Sequence, residues 1–256
     1  EAASVLVSFP GDFLETPSTF SEYPSFMTVS EKSLGFQEPI QLAKASWFAS
    51  CYSGLTATGF PFLLSDTALS PDRWKKFKAI VVSSFEFMDA ALQRNLIEFA
   101  RAGGTVVLGP RLPELDETMS PDNTLAAALQ GAGQEALAGI QGGSRYRIGL
   151  GHVVLLTGLS DAPRALGLAL EGLDLVHFTR NDPRLDVAIH RPTGGSGRLV
   201  MFVANPTAEE ISAEVSLSVG LKSVREVWED REVQARGDTL RETLPAYSIK
   251  IYECTL

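Results

Sequence analysis

The apolar pattern changes period once along the chain, near Gly172, and this change limits the possible folds more than any single motif does. Before it, short apolar runs alternate with stretches whose apolar residues recur every three or four positions. That is the signature of an α/β layer structure with a mostly parallel sheet and helices on both of its faces. After it, the pattern is one of strands alone.

In the first half, residues 4–9 and 60–65 predict strands, and residues 105–109 predict another. Ala79-Ile80-Val81-Val82-Ser83 is β-branched and uncharged, as a strand buried on both faces requires. A helix begins near Pro39, a favourable first helical residue, and stops at Gly59, with Ile40, Ala43, Trp47, Cys51 and Leu55 on one face. Ser70-Pro71-Asp72 predicts a second helix start, capped by the Ser70 hydroxyl. Asp89 is the expected cap of a helix over 90–102, whose stripe is Leu92, Leu96, Phe99 and Ala100 and whose stop is Gly103-Gly104. A short helix over 124–130 follows. Residues 145–148 and 152–157, joined by Gly149-Leu150-Gly151, then read as an antiparallel hairpin at the sheet edge, and Ser160-Asp161-Ala162-Pro163 opens a last helix. Residues 10–36 have no period and are too long for a routine connection; their aromatics Phe13, Phe20, Tyr23 and Phe26 are expected to contact another domain or protomer.

In the second half, residues 185–189 and 198–203 flank Gly194-Gly195-Ser196-Gly197 as a hairpin. Residues 211–219 alternate apolar and polar, and short strand-like runs follow over 224–228, 232–235, 240–243 and 247–252. The expected organisation is an α/β domain over 1–172 and a small β-sandwich over 180–256, with Asn181-Asp182-Pro183 breaking regular structure between them.

Charge and composition narrow the partners. With 22 Lys and Arg against 31 Asp and Glu, the net charge of −9 opposes a phosphate backbone or an anionic membrane surface, so no nucleic-acid and no membrane partner is expected. No stretch approaches the roughly 20 apolar residues of a membrane span, and nothing resembles a secretory leader, which favours a cytoplasmic location. Cys51 and Cys254 cannot build a disulfide framework or a zinc site. The chain opens with Glu1 rather than Met, which leads us to expect a piece excised from something longer.

Catalytic and cofactor signatures are absent. The first strand runs into Pro10-Gly11-Asp12-Phe13 rather than a GxGxxG turn, and no GxxxxGK[ST] occurs, so no nucleotide or other cofactor is expected. Cys51 falls on the apolar stripe of a helix, where a thiol is a packing residue, and His152, His177 and His190 lack metal-site spacing. One local candidate remains: Pro110-Arg111-Leu112-Pro113-Glu114-Leu115-Asp116-Glu117 gathers one cation and three carboxylates beyond the carboxyl end of a strand, where open sheets bind ligands. Pro110, Arg111, Glu114, Asp116 and Glu117 are thus a pocket or, more simply, an interface loop. The Glu229-Asp230-Arg231-Glu232 run reads as a solvated hairpin turn, and Trp228 or Trp74 is of a type that stacks on sugars.

Several segments together resemble the C-terminal, non-catalytic part of bacterial β-galactosidases of glycoside hydrolase families 42 and 35. They are Ala57-Thr58-Gly59-Phe60-Pro61-Phe62, Phe77-Lys78-Ala79-Ile80-Val81-Val82-Ser83-Ser84-Phe85, the run from Leu96 through Gly103-Gly104 to Pro110-Arg111, Arg198-Leu199-Val200-Met201-Phe202-Val203-Ala204-Asn205-Pro206 and Leu244-Pro245-Ala246-Tyr247-Ser248. The resemblance implies that the first half is a trimerisation domain, flavodoxin-like and similar to class I glutamine amidotransferases without their chemistry, since Pro110-Arg111 stands where a nucleophile would be expected. It implies a homo-oligomer, a trimer, whose partner is its own upstream (β/α)8 barrel, and galactosides as substrates of the full-length enzyme. A barrel needs about 250 residues and more βα units than this chain holds, so no catalytic residue carries over. The competing reading is a stand-alone amidotransferase-like protein binding a small molecule near Arg111, Glu114 and Asp116, or a carbohydrate on its β domain.

Overall fold

The computed structural model describes residues 5–9, 39–66, 70–192 and 197–256. These separate into two compact units, one drawn from Val5–Gly54 and Phe62–Leu173, the other from Leu55–Pro61 and Asp174–Leu256. The expectations for residues 10–36 and for Gly194-Gly195-Ser196 lie outside the described residues.

The strands are β1 Val5–Phe9, β2 Phe62–Asp66, β3 Ala79–Ser84, β4 Thr105–Pro110, β5 Gln134–Ala136, β6 Gly143–Ile148, β7 Gly151–Leu156, β8 Phe178–Arg180, β9 Asp186–His190, β10 Arg198–Asn205, β11 Ile211–Leu217, β12 Ser223–Glu226, β13 Arg231–Val233, β14 Ala235–Arg236, β15 Thr239–Leu244 and β16 Ser248–Thr255. The helices are α1 Pro39–Thr58, α2 Pro71–Trp74, α3 Ala90–Arg101, α4 Thr124–Gln130 and α5 Ala162–Ala169.

The first unit is built on a seven-stranded mixed sheet of order β2-β1-β3-β4-β7-β6-β5. Five strands, β2 to β7 in that order, pair in parallel; β6 and β5 continue it antiparallel. Every residue of β3 is buried, which is why its run carries no charge: each side chain meets apolar neighbours on one face or the other. The predicted edge hairpin forms, but not at the edge. Its second strand, β7, pairs in parallel with β4, and the three-residue β5, which has no apolar alternation to announce it, supplies the edge.

Helix α1 buries Trp47, Cys51 and Leu55 as its spacing requires. It lies so close to α5 that a side chain on Gly54 would meet Leu166 and Ala162. Helix α2 is a single turn, and the Ser70 hydroxyl makes no capping hydrogen bond; Pro71 alone sets its start. Asp89 likewise fails to cap α3. The first amide of that helix, Ala90 N–H, donates instead to Glu117 Oε2 at 2.8 Å, so the acceptor comes from a distant loop. Asp161 does cap α5, accepting from Arg164 N–H.

The second unit packs a five-stranded antiparallel sheet, β13-β12-β16-β10-β9, with a four-stranded one, β14-β15-β11-β8. Alternation along β10 and β11 sends Leu199, Met201, Val203, Ile211, Ala213 and Val215 into the shared core with Tyr252 and Cys254. Strand β8, in a stretch read from sequence as connecting, pairs with β11, and Phe178 joins the core. Gly59 has φ +73, and a Cβ there would collide with the Phe178 carbonyl oxygen, so only glycine fits where Phe178 N–H bonds to Gly59 O at 3.2 Å.

Candidate functional site

The acidic loop after β4 is folded by its own charges. Arg111 ion-pairs with Glu86, and its backbone N–H reaches Ser84 O. Glu114 and Leu115 both donate backbone N–H groups to Glu86 O, at 2.9 and 3.0 Å, while the Glu114 side chain is exposed. Asp116 Oδ1 accepts from Thr118 N–H, Ser120 N–H and the Thr118 hydroxyl. These bonds, the Thr118 hydroxyl foremost, hold its carboxyl below the usual carboxylate range, so Asp116 remains an anion that shapes a turn. Glu117 caps α3. Pro110 closes β4 opposite Ser84. Each residue of the predicted group thus has a definable place in one loop, and the carboxylates of Asp116 and Glu117 are engaged as backbone acceptors.

A second concavity lies beyond the carboxyl end of β7, bounded by Gly139, Gly158, Ser160, Asp161 and Arg164. Its volume of about 70 Å³ is far below the ~300 Å³ at which small-molecule sites begin.

The two cysteines are packing residues. Cys51 is fully covered, and burial pushes its thiol up to about 12; Cys254 is pushed up to about 11 in the same way. Burial, then Arg145 and Arg147, lowers the His152 pKa. His177 lies against the Phe60 ring at 4.7 Å, and His190 meets Phe202 edge-on at 5.4 Å. Among the described residues no group of three or more His, Cys, Asp or Glu is placed to hold a metal ion.

Of the two tryptophans considered as sugar platforms, Trp74 is excluded: it is 2% exposed and packs edge-on against Phe99 at 6.3 Å. Trp228 is 60% exposed. The neighbouring run Glu229-Asp230-Arg231-Glu232 lies in the turn between β12 and β13 and at the start of β13, with Glu229, Asp230 and Glu232 exposed, as its charges suggest, but Arg231 is drawn into further pairing. Arg231 Nε bonds Glu229 Oε2 at 2.6 Å and its Nη2 bonds Glu242 Oε2 at 2.5 Å, tying β13 to the opposite sheet. Lys250 Nζ stands 3.7 Å from Glu229 and 4.0 Å from Glu242. Glu226, 1% exposed, accepts from Trp228 N–H at 3.2 Å and Glu229 N–H at 2.5 Å. The signal for this cluster was present in the alternation: Glu226 follows Val224, Glu242 lies between Leu240 and Leu244, and Lys250 precedes Tyr252, all at positions where an apolar residue is expected.

Comparison with known proteins agrees with this architecture. Residues 21–152, just over half of the chain, match the family described as "GLMA-like, second domain". An exo-β-D-glucosaminidase of Pyrococcus horikoshii is 35% identical over 68 residues, which are 26% of this chain and 9% of that protein. The GH42 β-galactosidase Gan42B of G. stearothermophilus has the same fold over 100% of this chain and 41% of its own, with 13% identity and a TM-score of 0.65. For a β-galactosidase of Bacillus circulans sp. alkalophilus the shares are 99% and 42%, with 15% identity and a TM-score of 0.65. The chain therefore spans well under half of each of these proteins. The chain belongs to the GLMA-like second-domain family, and it shares its fold with part of the chain of GH42 β-galactosidases.

Proposed function

We propose that this chain is the assembly and accessory region of a β-galactosidase-like glycoside hydrolase, with the α/β part over 1–172 acting as a trimerisation-type domain and the β part over 180–256 as its terminal sandwich. The catalytic (β/α)8 barrel and the galactoside substrate belong to the rest of that enzyme. The parallel strand order β2-β1-β3-β4-β7 is the flavodoxin-type order 2-1-3-4-5, which favours the flavodoxin-like, amidotransferase-like description of the first part.

One observation carries the assembly role. Among the described strands β2 is an edge of the sheet, and its consecutive residues Leu63 and Leu64 are 47% and 55% exposed. Consecutive strand residues point to opposite faces, so both faces of this parallel edge present apolar surface, with Tyr52 exposed as well. An uncovered edge of this kind is a template for association. The loop of Pro110, Arg111, Glu114, Asp116 and Glu117 serves in this reading as a contact element.

Light scattering on the full-length protein tests the proposal. The wild type is expected to be a trimer, and Leu63→Glu/Leu64→Glu to dissociate it without lowering the melting temperature of the isolated chain. A full-length protein that is monomeric, or unchanged by the double substitution, overturns it.

A further inference from the structure

The sandwich breaks its own pattern at one margin. Inward positions of β12, β15 and β16 that should be apolar hold Glu226, Glu242 and Lys250, and Arg231 of β13 pairs with Glu226 on the same face. Local rules fail in this way chiefly at functional sites. Beneath the charges lies Tyr252, fully buried, whose hydroxyl has no hydrogen-bond partner. Tyr252 stands opposite Glu226 in the β12–β16 pair, and its pKa is raised first by burial and then by Glu242.

Trp228 stands at the rim of the same cluster, and its backbone is fixed from both sides. Glu226 accepts from Trp228 N–H and Glu229 N–H, while Arg225 ion-pairs with Asp230 across the turn. Asp230 sits at φ 52, a conformation that such a turn must hold in place. A large ring is thus presented to water on a rigid support. A purely structural ion-pair network accounts for the charges and does not itself require a large exposed ring beside them.

We infer that Trp228 and the Glu229, Arg231, Glu242 and Lys250 side chains form a binding subsite for a neutral pyranose saccharide. The ring offers an apolar platform to the C–H face of a sugar. With Glu226 committed to the turn, two carboxylates and two cations remain, so the subsite carries acceptors and donors for hydroxyl groups and no excess of either sign. Lys250 faces both carboxylates, at 3.7 Å from Glu229 and 4.0 Å from Glu242, and balances the charge of the pair.

The test uses the 256-residue chain and reads Trp228, the exposed tryptophan, since Trp47 and Trp74 are buried. Lactose, galactobiose and cellobiose are titrated to about 10 mM while emission and its quenching by iodide are followed. Saturable protection of the exposed tryptophan is expected for at least one of them. Glu242→Gln, which keeps the side-chain shape, is expected to weaken that binding by about tenfold or more. Calorimetry on Trp228→Ala, which lacks the fluorescent probe, is expected to show no binding with the melting temperature retained. No saturable change with any of the three sugars, or unaltered calorimetric binding by Trp228→Ala, overturns the inference. Neither outcome depends on the oligomeric state, so this subsite and the assembly role stand or fall separately.

Discussion

Glu117 Oε2 accepts the backbone N–H of Ala90 at 2.8 Å, across 27 residues of chain, so the loop after β4 caps the helix that precedes it. Glu117→Ala leaves the first amide of α3 without that acceptor. The expected loss of stability is about 0.5–1 kcal/mol, within the range of helix caps. Asp89→Ala removes no capping bond and is expected to cost less. Urea unfolding of the two variants side by side checks this; an Asp89 variant as destabilised as the Glu117 variant would contradict the assignment.

Gly109 in β4 has Trp47 and the Leu156 carbonyl oxygen where a Cβ would stand. Gly109→Ala must push the α1 indole off the sheet or bend β7. A destabilisation of about 1–3 kcal/mol is expected, the range for overpacked cores. Thermal melting measures it, and a shift of Trp47 emission should accompany the change. Equal stability to the wild type would mean that α1 moves away freely.

Asn205 is 1% exposed and joins the ends of several strands. Its Nδ2 donates to Glu209 O, Leu244 O and Pro245 O, and its Oδ1 accepts from Thr207 N–H and the Thr207 hydroxyl. Asn205→Asp replaces the donors by an oxygen facing three carbonyl oxygens. About 3 kcal/mol or more is expected to be lost at neutral pH, and part of it should return in acid as the new carboxyl is protonated. Denaturation curves at two pH values decide it.

Burial pushes the Cys51 and Cys254 thiols up to about 12 and about 11, above their unfolded value. The folded protein therefore holds both protons more tightly. The stabilisation this represents is complete below the unfolded pKa of about 8.5 and is lost as pH rises through the folded values. Near pH 8 the native protein is expected to react negligibly with a thiol reagent, and unfolding in guanidinium should release both cysteines at once. A fast-reacting thiol in the native protein would contradict the buried placement of α1 or β16.

The residues show how far sequence reaches. Ala79 to Ser84 had to be a doubly covered strand because six residues without charge, rich in β-branched side chains, have few other stable fates. The span Thr124–Gln130 was legible to the residue, and so were the stripe of Trp47, Cys51 and Leu55 and the alternation of β11. All of these depend on side-chain type and spacing within one element. Ser70 and Asp89 had the right chemistry in the right place, yet neither caps a helix. A cap is a contest among all acceptors within reach, and for α3 Glu117 occupies the amide.

What only the tertiary structure decided has one physical source, partners remote in sequence. Strands β5 and β8 have three residues each, too few for any period, and exist because β6 and β11 offer open edges. The charged run at Glu229 to Glu232 reads from sequence as a solvent-facing turn, which it is, but the pairing of Arg231 with Glu242, on the other sheet, has no local signal. Sequence by itself determined the longer helices and strands, whose side-chain type and spacing repeat within one element. Which backbone amide finds which carboxylate, which edge stays open at Leu63 and Leu64, and which charges meet beside Trp228 were settled by packing, because those energies exist only once distant segments are brought together.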